Sequence, residues 1–98
     1  MSSPDLDAAY ELDPRVSLRP EPFGALAYHF DNRRLSFLRS PEIVAVVQSL
    51  GEHPSLRDAL VAAGVKPARW PAFLGALERL AASDMIRVRG VEGVADVA

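Results

Sequence analysis

The sequence predicts an α+β domain with a winged helix-turn-helix layout: an N-terminal three-stranded antiparallel sheet followed by three helices. Three observations lead there. Arg15-Val16-Ser17-Leu18-Arg19 alternates polar and apolar residues, as a half-buried strand does. Ala25–Phe30 and Arg33–Leu38 flank Asp31-Asn32, a pair that tolerates the positive φ of a tight hairpin turn. From Ser40 onward apolar residues recur at helical spacing, in three stretches set off by Ser, Pro and Gly.

Each element has its own grounds. Met1 to Pro14 is polar and acidic, with Asp5, Asp7, Glu11 and Asp13, and reads as a flexible arm. In the first strand, residues 15–19, Val16 and Leu18 are assigned to the core. Pro20-Glu21-Pro22 ends it, because proline removes ladder donors. Gly24 lets the chain turn into the hairpin. With Asp31 and Asn32 as the turn, Tyr28 faces Leu35, Leu26 faces Phe37, Ala27 faces Ser36 and His29 faces Arg34. The large apolar pairs are assigned to the core face and the small, polar pairs to solvent.

Ser40-Pro41-Glu42 is a helix start: a cap, a proline suited to the first turn, and an acid at the positive end of the dipole. Ile43, Val46, Val47 and Leu50 form its apolar stripe, and Gly51 closes it. Ser55 with Asp58 starts a second helix carrying Leu56, Ala59, Leu60 and Ala63, with Gly64 after it. The third begins between Pro67 and Pro71. Either Pro71 lies in its first turn or Pro67-Ala68-Arg69 is a separate turn. Trp70, Phe73, Leu74, Leu77, Leu80 and Ala81 form its stripe, which ends near Ser83. Met85–Arg89 is a short final strand, and residues 90–98 are a frayed tail. The folded domain is therefore placed at 15–89.

Composition narrows the function. The chain has 98 residues, 49% of them hydrophobic, enough for one domain with a modest core. A net charge of −2 argues against a protein driven onto nucleic acid by phosphate contacts. The absence of cysteine removes disulfides, thiolate metal sites, iron–sulfur clusters and a thiol nucleophile, and fits a cytoplasmic protein. No apolar run approaches the roughly 20 residues that span a bilayer, and no secretory signal is read. His29 and His53 have no Asp or Glu at a metal-ligand spacing, the glycines are dispersed, and no serine has a base nearby in sequence. Nothing assembles a nucleophile, a base and an oxyanion site, so neither enzyme activity nor a cofactor is expected.

What is left is binding, or a structural part in an enzyme complex that holds the enzyme without touching peptide. A winged helix suggests DNA, read by the last helix with Lys66, Arg69 and Arg79, but Trp70, Phe73 and Leu74 share that region and suit a peptide better. A small sheet also has edges, and an edge strand presents N–H and C=O groups that an extended peptide can join. The segment Arg34 to Arg39 is that edge. Its arginines either blunt it or attract an acidic peptide.

Two runs carry a resemblance. Arg19-Pro20-Glu21-Pro22-Phe23-Gly24-Ala25-Leu26 and Arg33-Arg34-Leu35-Ser36-Phe37-Leu38-Arg39-Ser40-Pro41-Glu42 resemble the peptide chaperones of the mycofactocin system. Those are PqqD-like recognition elements for ribosomally made, modified peptides, and the similarity covers roughly Arg15 to Arg87. The resemblance implies a winged helix-turn-helix fold. It implies that the leader of a precursor peptide adds as a further strand beside the third strand, in the cleft against the third helix. It also implies delivery to a radical S-adenosylmethionine maturase, which acts on the peptide's C-terminal Val-Tyr and carries the iron–sulfur chemistry itself. Carried onto this chain, the peptide-binding residues are Arg34, Leu35, Ser36, Phe37, Leu38 and Arg39 on the strand, and Arg69, Trp70, Phe73, Leu74 and Leu77 on the helix. For Phe73, Leu74 and Leu77, plain core packing is an equal alternative. Trp70 is assigned to contact because its indole N–H needs a partner.

Overall fold

Residues 4–89 are described by a computed structural model, and the tail read over 90–98 lies outside them. Among the described residues the strands are β1 (Tyr10–Leu12), β2 (Val16–Glu21), β3 (Gly24–His29), β4 (Leu35–Leu38) and β5 (Ile86–Val88). The helices are α1 (Pro41–Ser49), α2 (Leu56–Ala62) and α3 (Trp70–Ala82). β2, β3 and β4 form an antiparallel sheet in that order, and β1 pairs separately with β5. The expected α+β sheet with three helices is present.

The arm expected over 1–14 is corrected where it is described. Tyr10, Glu11 and Leu12 stand opposite Val88, Arg87 and Ile86. Tyr10 is buried, and its hydroxyl accepts from the Asp5 N–H at 3.0 Å. Upstream, the carbonyls of Ala8 and Leu6 accept from the N–H groups of Leu56 and Arg57, each at 2.9 Å. The segment thus satisfies donors that the first turn of α2 leaves open.

The hairpin register is the expected one: Tyr28↔Leu35, Leu26↔Phe37 and Ala27↔Ser36. Its turn is longer than expected. His29 N donates to Arg34 O and Arg33 N to His29 O, so Phe30 to Arg33 form a four-residue loop. The left-handed residue is Arg33, at φ 63, rather than Asp31 and Asn32. His29 organises this loop, because its Nδ1 accepts from the backbone N–H of Asp31 (3.1 Å) and Asn32 (3.2 Å).

The two faces of the sheet are the reverse of the expectation. Ala25, Ala27, His29 and Leu38 are buried, while Leu35 and Phe37 are 57% and 56% exposed. The pairing with β2 explains why. Val16 stands opposite His29 and Leu18 opposite Ala27, so the apolar side of β2 shares a face with the small residues of β3. Alanines there bring the sheet close to the Ile43, Val46 and Val47 face of α1, all buried. Tyr28, Phe23, Leu35 and Phe37 are left on the outside, where Phe23 and Phe37 stack edge to face at 5.8 Å.

Pro20, expected to end a strand, lies within β2 opposite Ala25. Phe30 N donates to Arg15 O, and ladder bonds alternate from there through Ser17, Arg19 and Glu21. Pro20 therefore sits where a backbone N would face outward, on an edge strand, and no ladder bond is lost. Gly24, at φ +148, could hold no side chain: a Cβ would lie 2.1 Å from the Leu38 carbonyl oxygen.

The helices follow their sequence signals. Ser40 Oγ accepts from Ile43 N, and Ser55 Oγ from Asp58 N, each at 3.2 Å. Gly51 does not stop α1; a single 3₁₀ turn over Leu50–Glu52 continues it. Both alternatives for the third helix hold, since Pro67–Arg69 is a separate 3₁₀ turn and Pro71 lies in the first turn of α3.

Candidate functional site

A groove of about 530 Å³ runs between β4 and α3. From the strand side it is lined by Ser36, Phe37, Leu38 and Arg39, four of the six strand residues assigned to peptide binding. From α3 it is lined by the assigned Arg69 and Phe73. The floor is apolar: Phe73, Leu80 and Ile43 are 6%, 4% and 6% exposed.

Ladder alternation fixes which backbone groups face this groove. His29 N bonds Arg34 O, so Ala27↔Ser36 and Ala25↔Leu38 are the bonded pairs of β3 and β4. The N–H and C=O groups of Leu35 and Phe37 then point away from β3. Among the described residues β4 ends the sheet, and this side of it has no neighbouring strand.

The remaining assigned residues lie elsewhere. Leu77 is fully buried and Leu74 packs against the core. Trp70 is half-buried, and its indole N–H donates to the Val65 carbonyl at 2.9 Å, so the donor that argued for a ligand contact is already satisfied. Leu35 projects its side chain from the outer face. Arg34 reaches the last turn of α3, where it donates to Ala82 O at 3.4 Å.

Sequence reading missed Ala72, Ala76 and Ile43, which also line the groove, as does Arg79, named from the sequence only for the DNA alternative. Ala72 and Ala76 share a helix face with Arg69, Phe73 and Arg79, and side chains this small leave a trough beside the strand. Two alanines spaced i, i+4 between two arginines were the available signal.

Charge is concentrated at the groove's rim. Arg69 holds Glu42 through two hydrogen bonds of 2.7 and 2.8 Å. The Arg69 guanidinium keeps the Glu42 carboxyl below its ordinary range, and Glu42 raises Arg69 in return. The Arg69 and Arg39 guanidinium carbons stand 5.3 Å and 5.2 Å from the ring centroids of Phe73 and Phe37. Among the described residues no group of three or more His, Asp or Glu side chains could hold a metal ion. No described helix is long and apolar enough to cross a membrane.

The sequence profile of the peptide chaperone MftB family matches residues 9–87. The chain belongs to this family. It is 50% identical over 82 residues to the peptide chaperone MftB of Mycobacterium ulcerans, an alignment covering 84% of this chain and 75% of that one. The protein of the same name from Mycobacterium tuberculosis is 49% identical over the same shares of the two chains. That of Mycolicibacterium smegmatis is 47% identical over 89 residues, or 91% of this chain and 87% of its own. No solved structure matches the chain. The family match begins at Ala9, so it takes in β1 along with the groove.

Proposed function

We propose that this chain is a non-catalytic peptide chaperone of mycofactocin biosynthesis. It binds the leader of the precursor peptide as an added strand along β4 and presents the peptide to a radical S-adenosylmethionine maturase in the cytoplasm. The observation that carries this reading is the outward backbone edge of Leu35 and Phe37, opening onto a groove whose far wall is α3. Membership of a family whose relatives are named peptide chaperones supports it. In this reading α1 to α3 are the helices of a winged helix-turn-helix. Holding the leader raises the local concentration of the peptide's modified end at the maturase.

Titration with the precursor peptide tests it, with binding expected at micromolar concentration. Absence of binding at that concentration, with and without the maturase, overturns it. Two variants locate the contact. Phe37→Pro deletes an outward donor and is expected to weaken binding at least tenfold while the circular dichroism spectrum is retained, and Phe37→Ala separates the ring from the N–H. Leu38→Pro deletes a donor bonded to β3 and is expected to unfold the sheet instead.

A further inference from the structure

Strand addition explains the backbone edge of the groove but not its side chains. The floor is formed by Ile43, Phe73 and Leu80. The ends are cationic and unequal in their pairing. Arg69 is closed by Glu42, whereas Arg39 and Arg79 have no carboxylate partner among the described residues.

The direction of α3 fixes their order. Arg69 bonds Glu42, just beyond the end of β4, while the Ala82 and Ser83 carbonyls accept from Arg34 and Asn32, just before its start. α3 therefore runs antiparallel to β4, with Arg39 at the Arg69 end and Arg79 toward the other. The helix advances about 15 Å between Arg69 and Arg79 at its ordinary rise. An extended chain covers that distance in roughly four to five residues. Its side chains at i, i+2 and i+4 point the same way.

We propose that the groove selects an acidic, extended peptide segment of defined spacing. An apolar side chain sits on Ile43, Phe73 and Leu80. Carboxylates two residues before and two residues after it meet Arg39 and Arg79. This rests on the strand-addition reading and names the ligand chemistry that the site requires. Uncompensated guanidinium groups beside an apolar floor favour carboxylate and disfavour a neutral amide of the same shape, because the charge-assisted bond is the stronger one. The same pairing makes the affinity fall with added salt.

The test titrates the full chain with two probes. One is the precursor leader. The other is a labelled nine-residue peptide in a Ser/Thr background, with Glu at its third and seventh positions and Leu at its fifth. The Glu peptide is expected to bind at least about tenfold more tightly than its Gln counterpart. Arg79→Gln, an exposed change on α3, is expected to remove most of that preference, and Arg79→Glu to restore binding to a peptide with Lys at the matching position. Equal affinity for the Glu and Gln peptides overturns the carboxylate pairing and leaves strand addition standing. So does a leader affinity that is unchanged in the Arg39→Gln, Arg79→Gln double variant. A concentration-dependent dimer that the peptide cannot displace puts a second copy in the groove and also overturns the proposal. A leader that does not bind at all overturns strand addition itself.

Discussion

The two faces of the three-stranded sheet differ in a way that side-chain size does not foretell. The inner face carries Ala25, Ala27 and His29, all within 2% of full burial, and packs against α1. The outer face carries Phe23, Leu35 and Phe37, each more than 40% exposed. Burial here follows fit. Small side chains let a helix approach the sheet, and what is too bulky for that contact stays outside. The groove inherits this arrangement, since Phe37 belongs to the outer face and also to the groove wall.

Four variants test how deep that difference runs, beginning with the tightest contact. Gly24→Ala places a methyl group inside the Leu38 carbonyl, which only a backbone shift relieves. A loss of about 4 kcal/mol in denaturant unfolding is expected, and a loss below about 1 kcal/mol would show that the junction between β4 and α1 gives way easily. The Asp13 corner beside His29 comes next. The hydrogen bond from the Arg15 guanidinium holds the Asp13 carboxyl down at about 2, against the opposing effect of burial. A value lowered by folding stabilises the fold above the unfolded-state value, near pH 4. That contribution is lost as the pH falls from about 4 toward 2, and it amounts to about 2 kcal/mol. Urea midpoints across that range should fall more steeply for the natural chain than for Asp13→Asn.

Ala27→Leu, on the inner face, is expected to cost about 2 kcal/mol through overpacking against α1. Leu35→Ser, on the outer face, should change stability by no more than about 0.5 kcal/mol. If the last two variants cost the same, the contrast between the faces fails.

The hairpin register was legible because turn chemistry and the Tyr28/Leu35 and Leu26/Phe37 pairs act over a few residues. The choice of face was not, because it rests on which side of β3 the Val16/Leu18 side of β2 meets. Nothing within the hairpin records that long-range pairing. β1 was hidden for the same reason: Tyr10–Leu12 is a strand only because residues 86–88 lie beside it. At the candidate groove the strand wall was legible in part, since four of the six residues assigned on Arg34–Arg39 line it. On α3 the apolar stripe drew attention to Leu74 and Leu77, which serve the core. The trough of Ala72 and Ala76 carried too little hydrophobic signal to stand out.

Pro20 has a consequence for assembly. On the outward side of β2, Val16 N–H is taken by the Asp13 carbonyl and Pro20 has no N–H, so only Leu18 offers a donor. The sheet therefore has one edge that can accept another strand, the edge of β4. Open-ended sheet stacking needs two such edges on every molecule. With one, two copies can join edge to edge through this sheet once and growth through it then stops, so β4 can leave its backbone edge exposed without this sheet propagating a stack.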